Sequence, residues 1–326
     1  MRAFPFYGLL LLLVSGSTTL PGTAEFRPGA DRFEFSQVHM GMRVRLVLHA
    51  PGDGTARRAA AAAFDRIAAL DRMMSDYRDD SELRRLDARP QEWIPASEEL
   101  FAVLTRAVEI ADATGGAFDP TVAPVVALWR ASRKSGRLPE RSNLETARAL
   151  VGWRYVELDP SRRAMRLARI GVRLDLGGIA KGYILQEALR TLREHGVTSV
   201  LLEAGGDIVV GDAPPGRPGW RIDTPNADHA FSDRASKLCN AALATSGATS
   251  QFVEIDGVRY SHVVDPRTGL GVTNHIVARV IADDGATADA LATALTVVGP
   301  EGADAIVRRF PGVRIDLQRA SRDAHP

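Results

Sequence analysis

Three side chains in the C-terminal half of the sequence are of types that carry acid–base and metal chemistry. His262 follows a predicted strand and precedes a proline turn, a position from which a side chain can reach a cleft. Asp289 and Thr293 are four residues apart in a predicted helix, so they share one face of it. A carboxylate beside a hydroxyl suits a hard cation such as Mg²⁺. By spacing alone the simpler explanation is structural, with Asp289 favoured by the helix dipole and Thr293 in the core.

A glycine turn earlier in the chain indicates a site for an anion. Residues 174–183 predict a strand that turns through two glycines into a helix, and the first turn of that helix contains Lys181. A basic residue is unfavourable there unless an anion is bound, and free N–H groups at helix N-termini bind phosphate. The segment has neither a Walker A loop nor a GxGxxG fingerprint. An ordinary strand-to-helix turn is the structural alternative.

Two further glycine-containing regions could bring the backbone close to a flat ligand. Residues 114–124 place two glycines at a helix end and Asp119 before a proline, which holds Asp119 extended. Residues 203–208 and 245–248 carry glycines between predicted strands, where a planar molecule can approach closely. Taken singly, both regions are explained more simply by a helix stop and by tight turns.

The elements that must position these residues form a mixed pattern of helices and short strands. Helical periodicity is present over 56–74, 98–114, 144–150, 180–195, 287–298 and 301–310. Strands are predicted at 44–48, 155–158, 164–167, 172–176, 199–202, 208–210, 220–223, 252–255, 258–261, 276–282 and 313–317. Asp256-Gly257 predicts a two-residue hairpin turn. Strands and helices do not alternate regularly, so the pattern favours an α+β fold.

Composition excludes several classes of function. The chain has 326 residues with 41 basic and 40 acidic side chains, so no overall field selects nucleic acid. Its single cysteine excludes an intrachain disulfide framework and a cysteine-based zinc site.

The N-terminus has the pattern of a secretory signal peptide. Arg2 precedes a short apolar run over 6–14, and small residues follow it. The run is shorter than the ~20 apolar residues that span a bilayer. We predict a signal peptide over 1–24, a mature domain over 25–318 and a polar tail over 319–326. An uncleaved anchor in the inner membrane is the alternative.

In order along the chain, from about residue 40 to 302, these segments resemble the ApbE family of FAD:protein FMN transferases. The family-like stretches are SDYRDDSEL (75–83), GAFDPTV (116–122), DLGGIAKGY (175–183), GGD (205–207), SG (246–247), HVVDP (262–266) and AD (288–289). The resemblance implies an α+β fold related to the T-fold, with mixed sheets and helices around a flavin-binding cleft.

The resemblance also implies roles for individual residues. His262 would assist the acceptor hydroxyl, and Mg²⁺ would be held by the carbonyl of Gly178, the carboxylate of Asp289 and the hydroxyl of Thr293. Tyr77 would pack near the flavin ring. The full set of implied FAD contacts is Met40, Tyr77, Ala117, Phe118, Asp119, Asp175 and Lys181.

Four residues at three places in the chain depart from the family pattern. Ala292 stands where some relatives carry a second carboxylate, so its side chain cannot be a metal ligand. Met42 stands where many relatives have threonine, and Ala248-Thr249 replaces a more usual acidic–aromatic pair. The departures at Met42 and at Ala248-Thr249 concern details of flavin contact and acceptor choice.

The implied function is Mg²⁺-dependent transfer of FMN from FAD to a Thr or Ser hydroxyl of a target flavoprotein, with release of AMP. Expected acceptors are subunits of the Rnf and sodium-pumping quinone reductase types, or other FMN-binding domains, outside the cytoplasm and near the membrane. One alternative is a Mg²⁺-dependent FAD pyrophosphatase, in which water takes the acceptor's place. Another is a non-catalytic periplasmic flavin-binding protein. His262, Asp289 and Thr293 argue against the latter, because storage needs neither base nor metal.

Overall fold

The structure is a computed structural model that describes residues 30–222, 237–247 and 252–319. The predicted signal peptide, positions 248–249 and residues 320–326 of the predicted tail lie outside the described residues.

Helices and strands are interspersed along the described chain. The strands are β1 (Asp31–His39), β2 (Met42–Ala50), β3 (Ile94–Pro95), β4 (Val156–Asp159), β5 (Ala164–Leu167), β6 (Val200–Ala204), β7 (Asp207–Val210), β8 (Ala241–Gly247), β9 (Phe252–Ile255), β10 (Val258–Ser261), β11 (Ile276–Ala282) and β12 (Arg314–Arg319). The helices are α1 (Asp53–Met74), α2 (Glu82–Asp87), α3 (Glu98–Ala113), α4 (Ala123–Ser135), α5 (Arg141–Arg148), α6 (Ala180–Glu194) and α7 (Gly285–Val307).

A seven-stranded antiparallel sheet is the centre of the fold, in the order β1-β2-β6-β7-β8-β11-β12. Its strands follow chain order, and the segment between β2 and β6 supplies most of the helices. The predicted hairpin at Asp256-Gly257 is present as β9 and β10, and a small third sheet has the order β3-β5-β4.

Alternate residues of the central sheet face two different apolar clusters. Val44, Leu46 and Leu48 of β2 join the main core with the buried faces of α1, α3, α6 and α7, as period-two alternation requires. Val47 of β2 faces the opposite side, where Trp220 and Leu238 complete a smaller cluster. These four helices therefore form a layer on one face of the sheet.

Helices α6 and α7 touch backbone to backbone. A Cβ atom at Gly182 would lie 1.9 Å from the carbonyl oxygen of Gly285, and one at Gly285 would lie 2.2 Å from that of Gly182. Helix α7 is broken at Gly299, before Pro300, where φ is 67°. This break separates the two predicted helices 287–298 and 301–310. By length and composition alone α7 could span a membrane, but it is mostly buried within the fold.

The structure corrects several sequence-based assignments. The predicted strand 172–176 is wrong, because Leu174 donates instead to the Asp87 carboxylate at 3.0 Å and Asp175 to the carbonyl of Pro120 at 2.8 Å. Residues 220–223 form no strand in the described part of the chain; Trp220 makes one isolated bridge to Leu238. Strand β8 and helix α4 were not predicted, because both are rich in alanine or polar residues that blur the periodicity.

Candidate active site

One cleft of about 1160 Å³ brings together residues from distant parts of the chain. Every predicted site residue except Met40 lines it: Tyr77, Ala117, Phe118, Asp119, Asp175, Gly178, Lys181, His262, Asp289 and Thr293. Met40 instead occupies the turn between β1 and β2, with φ 52° and its side chain against the main core. Its backbone N–H donates to Asp71 at 3.0 Å. Gly41 and Met42 line the cleft in its place.

Lys181 and two buried carboxylates form the charged centre of the cleft. The Lys181 ammonium pairs with Asp207 and lies 3.8 Å from Oδ1 of Asp289, whose Oδ2 accepts from the N–H of Gly182 at 3.2 Å. Burial works to lower the pKa of Lys181, but the two carboxylates outweigh burial and raise it. Burial raises the pKa of Asp289 to about 7, with Asp207 adding to the rise and Lys181 opposing it. Two carboxylates against one ammonium leave an excess of negative charge that favours a cation.

The three predicted Mg²⁺ ligands lie side by side. Gly178 is in the turn before α6, and a Cβ atom there would lie 3.0 Å from Oγ1 of Thr293. Asp289 and Thr293 are one turn apart on α7. The described residues contain no group of three His, Cys, Asp or Glu side chains suited to a metal, so a cation here would depend on one carboxylate and neutral oxygens. Carbonyl, hydroxyl and carboxylate oxygens fit Mg²⁺, which keeps waters or substrate oxygens as its other ligands.

His262 lines the cleft on a backbone that is fixed on both sides. The preceding Ser261 accepts a hydrogen bond from Trp129 Nε1 on its carbonyl at 3.0 Å. The Ser261 hydroxyl accepts a hydrogen bond from the N–H of Val263 at 3.1 Å. The backbone N–H of Ser261 donates to the carbonyl of Val272 at 2.9 Å. The imidazole is half-buried, so it is both held and reachable from the cleft.

Asp119 organises its loop with both carboxylate oxygens. Oδ1 accepts from the N–H and the hydroxyl of Thr121 at 2.8 and 2.6 Å, and Oδ2 accepts from the N–H of Trp153 at 2.9 Å. Burial raises the pKa of Asp119 against the lowering effect of these hydrogen bonds. The structure thus gives the Asp119 side chain a supporting position, while Ala117 and Phe118 of the same loop lie buried against the cleft.

At the other end of the cleft an arginine joins Tyr77 to the Asp175 turn. Tyr77 is 77% exposed, and the Arg130 guanidinium stacks 4.5 Å from the centroid of its ring. Arg130 also lies 2.6 Å from Oδ2 of Asp76 and 3.5 Å from Oδ2 of Asp175. Asp175 in turn accepts from the N–H of Gly177 at 2.8 Å, and burial raises its pKa.

Sequence reasoning missed Arg130 and the role of Asp207. Arg130 lies on α4, whose start is marked by a proline in the first helical turn, the signal that could have revealed the helix. Asp207 lies in the recognised GGD stretch, but no local pattern shows that its partner is Lys181, 26 positions earlier.

Comparisons with known proteins agree with this architecture. A sequence model of the ApbE family matches residues 40–315. The FAD:protein FMN transferase of Treponema pallidum is 30% identical, with 94% of this chain and 88% of that protein covered. That of Vibrio cholerae is 34% identical, with 70% of each covered.

Solved structures show the same fold. The flavin transferase ApbE from Vibrio cholerae superposes with a TM-score of 0.78 at 28% identity, over 90% of this chain and 95% of that one. The ApbE protein from Thermotoga maritima gives 0.77 at 29% identity, over 89% and 97%. The predicted α+β fold is confirmed by these neighbours. With the family match spanning nearly all described residues, this chain belongs to the ApbE family.

Proposed function

We propose that this chain transfers FMN from FAD to a Thr or Ser hydroxyl of a partner protein, depends on Mg²⁺ and releases AMP. The observation that carries the proposal is that a single cleft contains His262, Lys181 and the oxygens of Gly178, Asp289 and Thr293. The curated relatives are named for FMN transfer from FAD to protein, which supports the same assignment.

The cleft suits a dinucleotide such as FAD. Its volume of about 1160 Å³ exceeds the ~300–1,000 Å³ of most small-molecule sites. At the start of α6 the N–H groups of Ile179, Ala180 and Gly182 are bonded within the protein. A phosphate there would be met by the helix dipole and by the positive charge of Lys181 in the first turn. Tyr77, exposed beside Arg130, offers a ring face to the isoalloxazine.

In the reaction, the acceptor oxygen attacks the phosphorus of the FMN half, and the P–O bond to the AMP phosphate breaks. His262 accepts the proton of the attacking hydroxyl and so acts as the general base. Lys181 and the start of α6 stabilise the negative charge that develops on the departing AMP. Bound Mg²⁺ would supply further neutralisation of the pyrophosphate charge. Positioning and charge neutralisation thus account for the catalysis, as in other phosphoryl transfers.

We further propose that the reaction takes place outside the cytoplasm, on the strength of the N-terminal pattern. The candidate acceptors are flavoprotein subunits of the Rnf and sodium-pumping quinone reductase types. Acceptors of this kind would place the enzyme near the membrane.

The test is to incubate the protein with FAD, Mg²⁺ and the FMN-binding domain of such a subunit, and to measure the mass of that domain. Addition of one FMN, with equimolar AMP, is expected. A matched reaction with the acceptor Thr replaced by Val should show no addition. Steady release of FMN and AMP at the same rate with and without acceptor would identify a pyrophosphatase instead. Binding of FAD with no turnover under any condition would identify a flavin-binding protein.

A further inference from the structure

A second pocket opens beside the loop that carries His262. It has a volume of about 580 Å³ and shares Asp119 and Pro266 with the cleft. Three arginines, three glycines and one indole ring contribute to its lining: Arg148, Arg154, Arg267, Gly115, Gly116, Gly152 and Trp153. We call it the arginine pocket.

Two of the three arginines are available to an outside anion. Arg267 donates to both oxygens of Asp265, each at 2.9 Å, so its charge is balanced locally. Glu145 is an exposed carboxylate in the lining of the pocket, and it forms an ion pair with Arg141 at 2.8 Å. Arg148 and Arg154 are exposed, and neither forms an ion pair with a carboxylate of the described chain.

The two arginines are held in place by packing. The Arg154 guanidinium stacks 4.1 Å from the centroid of the Trp153 ring, which leaves its N–H edge free to meet a carboxylate. Arg148 lies in the last turn of α5, which packs on the turn after His262. A Cβ atom at Gly269 in that turn would lie 3.1 Å from Cγ of Arg148. The pocket and the His262 loop are therefore one packed unit.

We propose that the arginine pocket binds an acidic segment of the acceptor polypeptide, next to the residue that receives FMN. This inference rests on the proposed function. Lys181, Asp289 and Thr293 line the cleft but not this pocket, so the proposed site for Mg²⁺ and the phosphates of FAD is separate from the arginine pocket. An acceptor hydroxyl must approach His262, and its flanking residues extend over the adjoining surface at about 3.3 Å per residue. The adjoining surface on the Pro266 side is the arginine pocket, and its free charges select carboxylates.

The test uses dye-labelled twelve-residue peptides with one central Thr in a Gly/Ser background. Three peptides carry two aspartates on the N-terminal side of the Thr, on its C-terminal side, or on both sides. Each has a counterpart in which every Asp is replaced by Asn. Binding is measured by fluorescence anisotropy with FAD and EDTA, so that no transfer occurs. The unmodified protein should bind at least one acidic peptide about tenfold more tightly than its Asn counterpart, the combined effect expected of two partly exposed ion pairs.

The double variant Arg148→Gln, Arg154→Gln should lose this preference. The matched control is Arg308→Gln, Arg309→Gln, which removes the same charge from exposed positions that line neither pocket. Equal binding of acidic and Asn peptides by the unmodified protein would overturn the proposal, as would loss of the preference in both double variants alike. Retention of the preference by the Arg148/Arg154 variant would overturn it too.

A parallel reaction with Mg²⁺ separates this inference from the proposed function. Acidic peptides that bind through Arg148 and Arg154 but receive no FMN would contradict the transferase assignment and leave the pocket assignment standing. FMN transfer at equal rates to acidic and Asn peptides would contradict the pocket assignment and leave the transferase standing.

Discussion

At the scale of single residues, the cleft separates groups that hold the ligand from groups that could change it. Asp289 is buried and shares one charged cluster with Lys181, whereas His262 enters from a different loop and is half-buried. Substitutions in the two regions should therefore affect different kinetic constants.

His262→Ala should leave FAD affinity within a few fold while FMN transfer falls by about 10²-fold or more, the usual contribution of a general base. FAD binding is measured by flavin fluorescence and transfer by the mass of the acceptor. His195→Ala, an exposed position at the end of α6, is the control and should behave as the unmodified protein. A parallel loss of FAD binding in His262→Ala would show that the imidazole contacts the ligand instead.

Asp289→Ala should lower turnover by about 10²-fold or more, since bound metal supplies several kcal/mol of charge stabilisation. Thr293→Val keeps the shape of the side chain and removes one neutral ligand, so it should do less damage. Raising Mg²⁺ should partly rescue Thr293→Val and leave Asp289→Ala inactive. Titration of activity against Mg²⁺ measures both. Unchanged activity and Mg²⁺ requirement in Asp289→Ala would make this helix purely structural.

The raised pKa of Asp289 predicts a pH dependence of stability in metal-free protein. Its folded pKa of about 7 lies above the ordinary aspartate value of 3.8, so between these pH values the folded state binds the extra proton. The stability that it contributes is present below about pH 4 and is lost as pH rises through 7. This effect is at most about 1.4 kcal/mol per pH unit for one proton. Urea unfolding in EDTA at pH 5 and 8 should show it, and Asp289→Asn should show a smaller decrease in stability over that interval.

At the scale of elements, the contact of α6 with α7 sets the distance between the Lys181 turn and the Asp289 face. The two glycines at the contact leave no room for a Cβ atom. Sequence could predict both helices and the one-turn spacing of Asp289 and Thr293. It could not predict this crossing, because nothing in either helix alone shows which face of the other it meets.

Gly182→Ala should destabilise the fold by about 3 kcal/mol, the upper part of the usual range for overpacking, and should weaken FAD binding. Gly54→Ala is the control, because a Cβ atom in that first turn of α1 would meet only the Arg58 side chain at 3.4 Å. Alanine there should be neutral or stabilising by up to about 1 kcal/mol. Denaturant unfolding of both variants measures the difference. Similar stability of the two would mean that α6 and α7 separate at little cost.

At other elements too, features set by neighbouring residues could be predicted from the sequence, and features set by long-range contacts could not. The Asp256-Gly257 hairpin is local, and it is present as predicted. The segment 172–176 has the alternation of a strand, but its N–H groups find partners in the Asp87 side chain and the loop at Pro120. Such long-range hydrogen bonds leave no trace in a short window of sequence.

At the scale of the whole molecule, export remains a prediction from residues 1–24. In a bacterial host the mature chain should begin near Glu25 and appear outside the cytoplasm. Cell fractionation with N-terminal sequencing measures this, and a chain that lacks residues 1–24 is the control that should stay inside. Recovery of full-length protein from the cytosol, starting at Met1, would contradict the prediction, whereas full-length protein in the membrane fraction would identify an uncleaved anchor.

The central sheet places β2 beside β6, while the segment between them carries Gly178 and Lys181. Asp289 and Thr293 come from α7, which precedes the final strand. No partial chain that stops before α7 can contain a complete site. If the protein crosses the membrane unfolded, it is latent during translocation. In that case it would gain the capacity to use FAD only where it folds, and the order of assembly would protect the cell's internal flavin pool without a separate inhibitor.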